Sequence, residues 1–335
     1  MNGTPEARAD GGPDGRTAEG SVRDLARKMR QMRDRVSAEV GRVVVGMDAV
    51  THQFLIALAA GGHVLLEGVP GVAKTTLSKT FARILGVDYQ RIQFTPDLLP
   101  SDVTGTYVFD RKLNEFQLRK GPIFCQVLLA DEVNRAPAKT QSALLEAMQE
   151  NQVTIEGTTL PLPRPFMVLA TQNPVEQEGV YRLPEAQLDR FLLRVHMGYP
   201  GRKNEVDLLR VHSHPQAPVE RLFTAEDILE VQWRLAQVHG TDALFEYIVD
   251  LAEASRAHPD LVLGASPRAA LCLLRCARAR ALLDGRHYFT HEDVQAVAPA
   301  VLSHRLIIRP EAEVEGKRTS DVVQELLDTV VVLQE

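Results

Sequence analysis

The sequence predicts an α/β protein, a parallel-sheet core over residues 21–200 followed by a small all-helical domain over residues 201–335. Three observations carry that expectation. Short apolar runs such as Val64–Leu66 and Ile123–Ala130 read as strands buried on both faces, the habit of parallel sheets. They alternate with segments whose apolar residues recur at helical spacing, the pattern of strands joined by crossover helices. Beyond Pro200 and Gly201 the strand signals stop and helical periodicity continues.

Each element follows from local chemistry. Residues 1–20 hold Gly, Ala, Asp, Glu and Arg with almost nothing large and apolar, so a disordered tail is expected. Val22–Val40 is a charged helix with Leu25, Met29, Met32 and Val36 on one face, ended by Gly41; the run Val43–Gly46 follows. A second helix, Met47–Ala60, leads through Gly61 and Gly62 into the strand Val64–Leu66. From Lys74, the residues Leu77, Phe81, Ile84 and Leu85 mark a helix that Gly86 stops. Gln90–Phe94 reads as a strand, Thr95–Asp102 as a polar connection, and Thr104–Gly121 as a hairpin with alternating Tyr107 and Phe109, then Phe116 and Leu118. The strand Ile123–Ala130 ends in Asp131 and Glu132. Ala138–Gln149 is a helix, Val153–Leu162 a second hairpin turning at Glu156 and Gly157, and Pro165–Ala170 and Phe191–His196 complete the strands. Ala225–His239, Asp242–Arg256, Pro267–Asp284, His291–Leu302 and Thr319–Val331 make up the helical domain.

Composition narrows the function. A chain of 335 residues exceeds what one core supports, and 44% apolar residues suffice for two. A net charge of −6 with 5% aromatics gives neither an electrostatic nor a stacking reason to expect a nucleic-acid partner. The three cysteines form no metal spacing or disulfide framework, and Cys272 and Cys276, one helical turn apart, read as core residues. No apolar run approaches bilayer length and the N-terminus has no apolar signal core, so a cytoplasmic protein without membrane insertion is expected.

The chemistry concentrates in Gly68, Val69, Pro70, Gly71, Val72, Ala73, Lys74 and Thr75, followed by Thr76. Set against G-x-x-x-x-G-K-[ST], one glycine has become Ala73. Main-chain N–H groups at a helix N-terminus, a lysine for the terminal phosphates and a hydroxyl for Mg²⁺ are all still supplied. Downstream, Asp131 could hold Mg²⁺ through water while Glu132 polarises an attacking water. As a lone signal such a pair is weak, because acidic residues also cap helices; after a phosphate loop it is strong. Asn173 closes another strand, on the edge where open α/β sheets bind ligands. Arg190 stands next to an apolar strand, fit either to reach a neighbouring subunit's nucleotide or to bridge to Asp189 or Glu185, with Arg135 and Arg194 as competitors. Ser266 and Pro267 open a helix whose first turn carries Arg268, a cation at the positive end of a helix dipole.

GVPGVAKT, LLADEVNRAP, ATQNP, LPEAQLDRF and GASPRA occur in the order and spacing of the MoxR family of AAA+ ATPases, and the chain resembles that family over nearly everything after residue 20. Alanine before the lysine is common there. The resemblance implies an AAA+ P-loop core with a helical lid, ATP and Mg²⁺ as ligands, Lys74 and Thr75 as the Walker A pair, and Asp131 and Glu132 as the Walker B pair. It also implies Asn173 as sensor 1, Arg190 as arginine finger, Arg268 as sensor 2, and Val45 and Gly46 as the adenine contact. The two hairpins look like the helix-2 insert and the pre-sensor hairpin, facing a central pore. The activity implied is ATP hydrolysis by a homo-oligomeric, hexameric ring that moves its lid through Arg268 against the core. Its use would be chaperone-like remodelling or metal-cofactor insertion, with a von Willebrand factor A domain protein as partner. A nucleotide-dependent assembly scaffold with slow turnover is the other expectation.

Overall fold

The computed structural model describes residues 15–173, 181, 183–213 and 218–331. Residues 1–14 of the expected tail lie outside them. Helix α1 (Gly15–Gly41) begins well ahead of Val22 and takes in the last residues of the expected tail. Its stripe of Leu25, Met29, Met32 and Val36 is buried, packed against later helices. Then come α2 (Asp48–Ala59), β1 (Val64–Gly68), α3 (Lys74–Leu85), β2 (Tyr89–Gln93) and a short α4 (Pro100–Thr104). Strands β3 (Gly105–Asp110) and β4 (Glu115–Lys120) form the first hairpin. Next are β5 (Val127–Asp131), α5 (Ala138–Glu150), the second hairpin β6 (Gln152–Ile155) and β7 (Thr158–Pro161), β8 (Met167–Gln172), α6 (Glu185–Leu188) and β9 (Leu193–Met197).

β2, β5, β8, β1 and β9 make one five-stranded sheet in that order, every neighbour parallel. Both faces are covered. Leu65, Leu128 and Val168 enter a core with residues of α5 and the second hairpin, while Val64, Leu66, Leu129 and Leu169 enter the core shared with α1 to α3 and the helical domain. β5 starts at Val127, later than the apolar run suggests. Ile123 and Cys125 are buried, but the chain there is a turn in which Cys125 N donates to Ile123 O at 2.8 Å.

The helical domain comprises α7 (Arg202–His212), α8 (Ala225–Arg234), α9 (Asp242–Ala257), β10 (Leu261–Leu263), α10 (Pro267–Leu283), α11 (His291–Leu302), β11 (Ile307–Ile308), α12 (Pro310–Val314) and α13 (Thr319–Thr329). Paired β10 and β11 were not expected, being too short to show alternation. Cys272 and Cys276 are buried on α10, as read.

Two buried histidines join layers. His63 Nε2 donates to Met148 O at 2.9 Å, and its Nδ1 accepts from Val168 N at 3.0 Å. Burial pushes its pKa down to about 4 from an ordinary 6.5, so the ring is neutral. Burial also pushes His304, whose Nε2 donates to Phe191 O at 3.0 Å, well below that value. Below pH 6.5 the unfolded chain therefore takes up protons that the native chain refuses, and stability falls as pH falls. From pH 7 to pH 5, His63 alone should remove about 2 kcal/mol. Denaturant titrations across that range should show the midpoint falling, less steeply in His63→Gln; equal slopes would contradict the assignment.

Candidate nucleotide site

Because all five strands run the same way, one edge of the sheet gathers their C-terminal ends. Gln93 lies opposite Asp131, Glu67 opposite both Gln172 and His196, and Gly68 opposite Met197. A Cβ on Gly68 would meet Met197 O at 2.4 Å, so only glycine lets the loop leave β1 there. Gly71 turns at φ +87° with open space around it. Ala73 takes φ +61°, so the residue in place of the motif's second glycine keeps the left-handed backbone of a glycine at a cost of about 1–2 kcal/mol. Val72 is buried, Val69 is half-buried against the core and Pro70 is exposed, so the loop is anchored by its valines.

Helix α3 starts directly after Ala73 with no side-chain cap. Its first-turn N–H groups therefore have no intrahelical partner and suit an anion. Lys74 Nζ donates to Gly68 O at 2.7 Å, folded over the same loop. Thr75 is half-buried and Thr76 exposed. Val45 is half-buried, and Gly46, at φ +77°, packs against Asn204 of α7, a neighbour that sequence reasoning did not find.

The acidic pair is held by residues the motifs did not name. Asp131, 8% exposed, accepts from Thr171 Oγ1 at 2.6 Å through Oδ1 and from Arg91 Nη2 at 2.7 Å through Oδ2. Glu132 Oε2 accepts from Gln93 Nε2 at 3.0 Å and lies 3.3 Å from Arg135. Its backbone, left-handed at φ +55°, donates from N to Thr171 Oγ1 at 2.8 Å. Polar residues on β2 and the threonine ahead of Asn173 were the available signal, but only strand register shows which of them meet the carboxylates. Asn173 is buried at the end of β8, on the same edge.

The arginines divide between the two edges. Arg194 donates to Glu67 Oε2 at 2.6 Å and Arg135 pairs with Glu132, so both competitors for the finger role are engaged near their own loop. Arg190 precedes β9 at its start, where Leu192 N donates to His63 O at 2.8 Å. From Val64 to Gly68 the sheet spans about 13 Å, placing Arg190 at the far edge from the phosphate loop. Its half-buried side chain bridges to neither Asp189 nor Glu185, and it forms no hydrogen bond or ion pair with another described residue. Asp189 pairs instead with Arg305 at 2.8 Å and Arg268 at 3.7 Å. Ser266 caps α10 as expected, its Oγ accepting from Ala269 N at 3.2 Å. Arg268 therefore stands at the far edge too, beside Asp189.

The sheet order, the glycine loop feeding α3, the acidic pair on β5 and the helical domain behind define a P-loop core with a lid. A family model described as the ATPase family associated with various cellular activities (AAA) matches residues 63–193, and an AAA lid domain model matches residues 253–326. The chain is 48% identical to the uncharacterised protein YeaC of Bacillus subtilis, over 88% of this chain and 92% of that one. It is 43% identical to Chaperone MoxR1 of Mycobacterium tuberculosis, over 94% and 86%. A crystal structure titled as a putative ATPase from Cytophaga hutchinsonii superposes with a TM-score of 0.88 at 44% identity, covering 94% of this chain and 99% of the other. The chain belongs to the MoxR family of AAA+ ATPases.

Proposed function

We propose that the protein hydrolyses ATP in a homo-oligomeric ring, hexameric as in the resemblance, in which each nucleotide is held by one subunit and completed by the next. The observation that carries this reading is the division of polar groups between opposite edges of one sheet: Lys74, Thr75, Asp131, Glu132 and Asn173 at one, Arg190 and Arg268 at the other. A group on the far edge reaches a phosphate only across a subunit boundary.

Within the site, the amides of Gly71 to Thr75 and Lys74 would bind the phosphates, and Val45 and Gly46 would meet the adenine. Thr75 and Asp131 supply hydroxyl and carboxylate oxygens, the hard donors that suit Mg²⁺. When bound, magnesium would neutralise charge developing on the phosphate oxygens. Glu132, released from Gln93 and Arg135, would orient the attacking water, with Asn173 fixing it from β8. Arg190 and Arg268 would stabilise the charge leaving the neighbour's γ-phosphate.

The relative named Chaperone MoxR1 supports remodelling of protein clients as the use of this turnover. Metal-cofactor insertion and a von Willebrand factor A domain partner follow from the family resemblance alone, and a cytoplasmic setting from the apolar pattern of the sequence; no helix among the described residues is long and apolar enough to cross a membrane. Phosphate release tests the reading. Glu132→Gln should lower turnover about 100-fold or more while leaving ATP affinity unchanged. If wild type and variant are equally slow while ATP still drives assembly, the scaffold reading replaces this one.

A further inference from the structure

Arg305, just beyond α11, has a side chain only 2% exposed. A buried guanidinium is costly unless its donors are matched, and here they are matched by one segment of the core. Nε donates to Asp189 Oδ1 at 2.8 Å, Nη2 to Phe191 O at 2.6 Å, and Nη1 to Leu192 O at 3.2 Å. Nη2 also lies 3.4 Å from Asp189 O, and the fork reaches the helical domain itself at Val301 O and, at 3.5 Å, Cys272 Sγ on α10. One planar fork thus ties the residues on both sides of Arg190 to the helices that carry Arg268. His304 adds a bond to the same carbonyl of Phe191.

We infer that Arg305, through Asp189, is a positioning residue that holds Arg190 and Arg268 as one rigid arm for the neighbouring subunit's nucleotide; this rests on the shared site proposed above. Three observations favour this over a plain anchor of lid to core. The bonds fall on the backbone flanking Arg190 while the Arg190 side chain is left uncommitted among the described residues. Asp189 is shared between Arg305 and Arg268, so a single carboxylate sets the spacing of both outward arginines. Two guanidiniums pair with that one carboxylate, leaving an excess of positive charge that suits a polyphosphate arriving from outside. A lysine offers a point charge and cannot span these acceptors.

Asp189→Asn keeps the shape at a partly exposed position, and Arg305→Lys keeps the charge without the fork. Both should bind a fluorescent ATP analogue as wild type does, because the cradle lies at the other edge, yet turn over ATP at least about tenfold more slowly. Mixing either with Lys74→Ala should restore part of the turnover, since the second subunit brings an intact arm to the first one's intact cradle. A merely structural role would lower analogue binding along with turnover and give no rescue. Unchanged turnover in both variants would overturn the inference. So would failure of rescue alongside successful rescue of Arg190→Ala, which would leave the shared site standing. If Arg190→Ala is not rescued either, both fall.

Discussion

Replacing Lys74 with alanine should reduce ATP affinity by at least about 100-fold, because in the proposed site the ammonium would make charge-assisted bonds to two phosphates, each worth about 1.5–3 kcal/mol. The fold should survive. The ammonium donates to the Gly68 carbonyl, and the loop is also anchored by buried Val72 and by Gly68 against β9. Titration with a fluorescent ATP analogue, alongside a thermal melt, separates the two effects. Wild-type affinity in Lys74→Ala would contradict the assignment of the phosphate loop.

The second large effect concerns Arg190. Arg190→Ala should leave nucleotide binding intact and slow hydrolysis by about 10³ or more, the range found for arginines supplied across an interface to phosphoryl transfer. Its side chain forms no bond with another described residue, so its removal should leave the fold of its own subunit in place. Mixed with Lys74→Ala, it should recover part of the turnover, because some interfaces then pair a sound cradle with a sound arginine. An absence of recovery would remove Arg190 from the role. Arg135 and Arg194, tied to Glu132 and Glu67 of their own chain, would then have to leave those partners to act.

Much of the fold was legible because the relevant signals are local. Both hairpins appear where alternation and turn residues put them, with Glu156 at φ +48° and Gly157 at φ +83° in the second. The long lid helices follow from apolar spacing and caps. Legibility failed where packing overrides pattern. Ile123 and Cys125 are as apolar as a strand but form a turn, since burial alone does not set backbone conformation. Arg91, Gln93 and Thr171 gave no motif, because a polar residue on a strand is informative only once its cross-strand neighbour is known.

Residue types at fixed spacing were enough, unaided, to propose an anion cradle with lysine and hydroxyl and an acidic pair to serve it, and to place a helical domain behind. Those assignments need only the chemistry of a few consecutive residues. Tertiary structure alone decided that Arg268 stands with Arg190 at the far edge, and that Asp189 pairs with both Arg268 and Arg305. These residues are scattered over more than a hundred positions of sequence, and only the direction of parallel strands and the seating of α10 and α11 bring them to one place.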